Sequence, residues 1–180
     1  MQINEALRDL FSQSAKPLIL AIDGPAGSGK STLAGEIARA FAGTYSIEVI
    51  HLDELYNGWN NPLSDELFQK LLGLINSQKL DETTELAIYD WGTNAFTGSR
   101  QVKPVELFII EGVGSCNQLL RQKFTTSIWL DIDQSMGLTR VLERDGEEIR
   151  QEMIKWQRME NEYFARDLTR ESADFILSTQ

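Results

Sequence analysis

The sequence predicts an α/β fold in three layers, a parallel sheet with helices on both faces, and three observations carry that prediction. Short apolar runs of strand type recur along the 180 residues, among them 18–22, 47–50, 105–110 and 127–132. Segments with apolar residues at three- and four-residue steps lie between several of these runs. A glycine-rich turn, Gly24 to Ser31, joins the first strand to the helix that follows it. Strands alternating with helices pair in parallel and bring their carboxyl ends to one edge, where ligands gather.

The turn itself reads Gly-Pro-Ala-Gly-Ser-Gly-Lys-Ser, which fits the pattern Gly, four residues, Gly-Lys-Ser/Thr without a mismatch. It follows the apolar run 18–22 and precedes Thr32 to Phe41, a segment of helical spacing, so the strand–loop–helix setting that the motif requires is present. Glycines 24, 27 and 29 let the backbone take positive φ, so that successive N–H groups can turn inward around phosphate oxygens. The helix N-terminus adds its partial positive charge. The nucleotide-binding residues expected are therefore Gly24, Pro25, Ala26, Gly27, Ser28, Gly29, Lys30, Ser31 and Thr32. Lys30 reaches the β- and γ-phosphates, and the Ser31 hydroxyl is placed for Mg²⁺. The fold class sharpens to a three-layer P-loop NTPase fold with ATP and Mg²⁺ as cofactors.

Taken in order, residues 3–14 form an opening amphipathic helix, with Ile3, Leu7, Leu10 and Phe11 on one face and Pro17 marking entry to the first strand; the opening segment as a whole is 1–16. After the loop helix, Gly43-Thr44 is a stop signal, and the strand 47–50 delivers His51 to Tyr56 at its carboxyl end. Residues 57–62 are turn-rich, and 64–78 carry Leu67, Phe68, Leu71, Leu72 and Ile75 on one helical stripe. A short strand is expected at 86–89, followed by a polar segment from Asp90 to Lys103. The most apolar run, 105–110, reads as a buried parallel strand ending at Glu111-Gly112. A short helix at 118–121, a strand at 127–132, a helix at 135–144, a break at Gly146, a long helix at 147–168 and a last strand at 173–177 complete the chain. The expected organisation is one domain over 1–180, with a substrate-side segment at 56–104 and a lid at 140–158.

Composition excludes several function classes. The net charge of −10 argues against nucleic acid, whose backbone demands a basic surface. The single cysteine, Cys116, forms no internal disulfide, which fits a reducing compartment. The amphipathic N-terminus is unlike a signal peptide, and no stretch has the apolar length of a membrane span. The expected location is the cytoplasm, with no membrane or nucleic-acid partner; the oligomeric state is left open.

Position nominates the chemistry. In a parallel sheet Asp53, Glu111 and Asp131 leave the same edge as the loop. Asp53 can accept the proton of a hydroxyl attacking the γ-phosphate, and Glu111 lies where P-loop proteins place an acid near the metal, so Ser31 and Glu111 are the metal candidates. Asp133 reads as the N-cap of the helix at Ser135, and His51 as a residue packed beside its strand end. Arg140 and Arg144 are four residues apart on one helix face beside the Gly146 break, where guanidinium groups can close over the phosphates. With Asp53 and Lys30 they are the catalytic candidates.

These residues, together with Leu52-Asp53-Glu54-Leu55-Tyr56, Tyr89-Asp90-Trp91 with Arg100, Ile110-Glu111-Gly112 and Arg140 to Asp145, resemble the uridine kinase and phosphoribulokinase branch of P-loop kinases over residues 18 to about 177. The resemblance implies Asp53 as base, Tyr56 near the substrate, Glu111 beside Mg²⁺, Arg140 and Arg144 in the lid, and Tyr89, Asp90 and Arg100 on the acceptor side. Where uridine kinases carry a base-reading histidine, this chain has Asn94 nearby, so the nucleoside stays open.

The acceptor class follows separately from charge. Between His51 and Pro104 stand Lys70, Lys79, Arg100 and Lys103 against eight acids, whereas binding a phosphorylated acceptor calls for several arginines. A neutral hydroxyl acceptor fits, with Tyr56, Trp59, Tyr89, Trp91 and Phe96 available to stack on a base or sugar or simply to pack. The alternatives are a kinase of nucleoside monophosphates or coenzyme precursors, and a regulatory ATPase. A GTPase is disfavoured, since neither Asn-Lys-x-Asp nor a later Asp-x-x-Gly occurs.

Overall fold

The computed structural model describes residues 3–179; residues 1 and 2 of the expected opening segment, and residue 180, lie outside them. The main sheet has the order β2-β5-β1-β6-β7, every pair parallel. Its strands are β1 (Leu18–Asp23), β2 (Ile47–His51), β5 (Leu107–Glu111), β6 (Thr126–Asp131) and β7 (Phe175–Ser178).

Side-chain parity explains the layers. Leu18, Leu20 and Ile22 of β1, with Leu107 and Ile109 of β5, pack with Leu7 and Phe11 of α1 (Ile3–Gln13) and with Ala34, Ile37 and Phe41 of α2 (Lys30–Phe41). Ile19, Phe108 and Ile110 face the other way. They join Leu67, Phe68 and Leu71 of α3 (Asp65–Lys79), Val141 of α4 (Gln134–Asp145), and Met153, Trp156 and Tyr163 of α5 (Arg150–Asp167). A strand buried on both sides reads as a near-continuous apolar run, and in these two strands the run gives way to an acid, Asp23 or Glu111, only at the carboxyl end.

Helix ends follow their chemistry. Ser64 caps α3 by accepting the Leu67 N–H, and Asp133 caps α4 by accepting the Ser135 and Met136 N–H groups, as expected of an aspartate in that place. Gly146 ends α4 at φ 102°. The long helix expected at 147–168 starts as a 3-10 turn, Glu147–Ile149, before α5 proper. The helix expected at 118–121 is instead a set of turns running into a 3-10 turn at Arg121–Lys123. There the Gln118 N–H and the Arg121 guanidinium are drawn onto the Asp167 carboxylate rather than into a helical ladder.

The segment 84–102 departs most from expectation. Leu86 to Tyr89 belongs to a longer strand, β3 (Thr84–Asp90), and the expected polar segment contains β4 (Ala95–Val102). The two form an antiparallel hairpin separate from the main sheet. Most of β4 is exposed, so it lacks the apolar alternation by which a half-buried strand is recognised.

Candidate active site

Three strand ends build one edge. Glu111, at the end of β5, is in register with Ile22 of β1 on one side and His51 of β2 on the other, and the phosphate loop and Asp53 leave β1 and β2 just beyond. A cavity of about 620 Å³ opens there.

The loop wall includes Ala26, Gly27, Gly29, Lys30 and Thr32. Its backbone shape is enforced from outside: a Cβ on Gly27, at φ 79°, would lie 2.3 Å from the Gly137 carbonyl oxygen of α4, and one on Gly137 would lie 2.6 Å from the Ala26 carbonyl oxygen, so glycine is required on both segments of that crossing. Lys30 is buried, and its Nζ donates to the Gly24 and Pro25 carbonyls at 2.8 Å each. Ser28 is fully buried and its Oγ has no hydrogen-bond partner.

Ser31 Oγ donates to Glu111 Oε1 at 2.8 Å, and His51 Nδ1 lies 2.5 Å from the same oxygen. That hydrogen bond draws the His51 pKa upward. The Ser31 and Glu111 oxygens form a hard donor set suited to Mg²⁺, which takes one or two protein ligands and completes its shell with phosphate and water; no cluster of three His, Cys, Asp or Glu side chains forms a denser metal site among the described residues.

Asp53 lies on the cavity wall. Its side chain is exposed to the open cavity, and the protein crowded around that cavity, with the Glu111 charge, pushes its pKa up against the pull of Lys30 and Arg144. Its backbone is fixed by Trp91, whose indole N–H donates to the Asp53 carbonyl at 2.8 Å.

A second wall is aromatic. Tyr56, buried and hydrogen-bonded through its hydroxyl to the Val113 carbonyl, meets Trp156 at 5.2 Å between ring centroids. Trp59 bridges Trp91 at 5.1 Å and Trp156 at 6.0 Å, both edge to face. Ile149 and Met153 continue this wall.

The remaining sequence candidates divide. Arg140 and Arg144 reach the cavity, although Arg144 also forms a bidentate pair with Asp145. Of the four substrate-side residues Tyr56 lines the cavity, and the other three lie outside its lining, in contacts of their own. Arg100 is committed to Glu48, to the Val49 carbonyl and, at 3.5 Å, to Glu54. Asp90 accepts the Gly92 N–H and holds the hairpin turn. Tyr89 is buried against Trp91 and Phe96. Asp131 is paired with Arg170 and the Trp129 indole rather than aimed at the cavity.

Sequence reasoning missed three contributors. Asp23, fully buried, accepts N–H groups from Gly24, Gly114 and Cys116 and ties the phosphate loop to the turn after β5; burial raises its pKa to about 6. Glu160 reaches the Ala26 N–H from α5. Trp156 read as one residue of a helical stripe, and only the fold carries it to the cavity. An acid at the last position of an apolar strand was the one available signal for Asp23; the other two had none.

A phosphate loop, an acid in register beside it and a second acid on the same cavity define a P-loop kinase. A family model described as an AAA domain (AAA_18) matches residues 20–165, and the chain belongs to that family. Among curated relatives it is 25% identical over 155 residues to a uridine kinase of Limosilactobacillus reuteri, covering 75% of this chain and 68% of the relative. It is 29% identical over 156 residues to a uridine kinase of Ligilactobacillus salivarius, covering 77% and 71%. In fold it is similar to a structure from Bacillus stearothermophilus described as a "possible uridine kinase", with a TM-score of 0.67, 21% identity and coverage of 96% and 99%. A D-glycerate 3-kinase from Cryptococcus neoformans aligns with a TM-score of 0.63, 15% identity and coverage of 98% and 94%. The chain is an ATP-dependent small-molecule kinase, similar in sequence to uridine kinases.

Proposed function

We propose that the protein transfers the γ-phosphoryl group of ATP, with Mg²⁺, to a hydroxyl of a small neutral metabolite that carries a flat ring, a nucleoside above all. The observation that carries this reading is a single cavity lined at once by the phosphate loop, by Asp53 and by three tryptophans, Trp59, Trp91 and Trp156. Lys30 and the loop amides would hold the phosphates, and Ser31 and Glu111 would hold the metal, whose charge would supply electrostatic stabilisation of the transferred group. The raised Asp53 carboxyl accepts the hydroxyl proton, a task for which a pKa nearer neutrality is suited. Arg140 and Arg144 close over the phosphates as a lid. The uridine kinase names of the relatives support the nucleoside, and the commitment of Arg100 to Glu48 and Glu54 weighs against a phosphorylated acceptor.

In this reading 1–180 is a single unit, with 56–104 closing the acceptor side and 140–158 acting as the lid. No helix among the described residues is long and apolar enough to cross a membrane, and we place the protein in the cytoplasm. The test is ADP release from Mg²⁺-ATP against a panel of nucleosides, sugars and vitamin precursors. Stimulation by a neutral ring-bearing acceptor is expected. Tight nucleotide binding with no acceptor response would favour a regulatory ATPase instead.

A further inference from the structure

Glu160 takes no part in the transfer step above, yet its place is unusual. It lies on α5 one helical turn beyond Trp156 and is 1% exposed. Its Oε2 accepts the Ala26 N–H of the phosphate loop at 3.1 Å and the Trp156 indole N–H at 2.8 Å, with Oε1 3.4 Å from the Ala26 nitrogen. One buried carboxyl thus joins an amide of the nucleotide wall to a tryptophan of the acceptor wall. An ionised carboxylate in that place repels the phosphate chain that the loop is built to hold, and burial leaves the repulsion poorly screened.

We propose that Glu160 is a positioning residue that clamps the phosphate loop to the acceptor wall and takes up a proton when an anionic phosphate chain enters the loop. A neutral carboxyl still accepts through its carbonyl oxygen, so protonation removes the repulsion and keeps the clamp. The charged groups that face it are Lys30, which favours the ionised form, and Asp23, which opposes it; the Ala26 and Trp156 donors also favour the ionised form. Burial outweighs the favourable contributions and brings the carboxyl to about 7. An arriving phosphate adds negative charge and engages Lys30, and both changes push the carboxyl further up. By linkage, nucleotide binding then draws a proton from solvent and tightens as pH falls.

The inference rests on the loop being the nucleotide site, and the experiment separates the two. Binding of Mg²⁺ with a non-hydrolysable ATP analogue is followed by calorimetry in buffers of different ionisation enthalpy, on the full chain. At pH about 7.5 the wild type is expected to take up about half a proton or more per nucleotide. Its affinity should tighten up to about tenfold between pH 8 and pH 6. Glu160→Gln, which keeps an acceptor oxygen, should bind with that uptake removed and the Glu160 part of the pH dependence flattened. Trp156→Phe, which deletes a donor to the ionised form, should move the midpoint to higher pH. Uptake unchanged in Glu160→Gln, an unmoved midpoint in Trp156→Phe, or binding by the wild type with no uptake would each overturn the inference. Failure of the wild type to bind the analogue at all would overturn the nucleotide-site reading and the inference with it.

Discussion

The two walls of the cavity are built on opposite plans. The phosphate wall comes from one continuous stretch, Gly24 to Thr32, and works through its backbone, held in shape by Asp23 below it, Gly137 against it and Glu160 behind it. The acceptor wall is gathered from Tyr56 and Trp59 after β2, Trp91 in the hairpin turn, and Ile149, Met153 and Trp156 around the start of α5, and it works through side chains. A backbone device depends on glycine and spacing and so tolerates little change, whereas a wall of separate side chains can be altered one ring at a time. The architecture thus separates what a kinase must keep, the grip on a phosphate chain, from what sets the acceptor.

That contrast can be broken or sharpened by substitution. The largest effect is expected where the walls meet: Asp53→Asn should lower kcat by about 10³-fold, within the range of general-base removal, while equilibrium binding of Mg²⁺-ATP stays within about twofold. Normal turnover in this variant would remove Asp53 from the chemistry. On the acceptor wall, Trp59→Ala should raise KM for the acceptor about tenfold, the scale of a lost aromatic contact, with KM for ATP unchanged. An equal rise in both constants would mean that the walls are not independent.

Behind the walls the effects should fall on stability. Arg100→Ala loses hydrogen bonds to Val49 and Glu48 in a half-exposed setting and should cost about 1 kcal/mol in urea denaturation, with kcat within about twofold; a specific rise in acceptor KM would return Arg100 to the substrate side. The smallest signal is a slope. Asp23 is raised in the folded protein to about 6 from 3.8, so the folded state binds the extra proton. This group's stabilising contribution is present below pH 3.8 and is lost as pH rises through 6. Denaturation across that window should show a decline in the wild type that is shallower in Asp23→Asn, and parallel profiles would count against the assignment.

How much was legible in the sequence follows the same division. The phosphate loop, the capping Asp133 and the doubly buried β1 and β5 could all be read, because each is encoded by residues adjacent in the chain. Asp53 and Glu111 could be placed because strand ends in a parallel sheet converge whatever lies between them. The hairpin strand β4 could not, since its pairing with β3 leaves it largely exposed and erases the apolar alternation. The family resemblance put Arg100 on the acceptor side, whereas its partners in the structure, Glu48 and Glu54, come from another part of the chain that the resemblance does not address. Trp156 belongs to an apolar stripe that already accounts for it as core, Glu160 lies outside that stripe, and only the docking of α5 against the loop gives either a task at the site.

The central claim, a phosphoryl transfer to a neutral acceptor across these two walls, is tested most directly by a matched pair. Initial rates are measured with Mg²⁺-ATP and one ring-bearing acceptor, offered once as the free hydroxyl compound and once as its monophosphate. The account predicts transfer to the free compound with the higher kcat/KM by at least about tenfold, given an apolar acceptor wall and an arginine held elsewhere. Preference for the monophosphate would contradict it, and would mean that a cation of the lid or of α5 turns to the acceptor side.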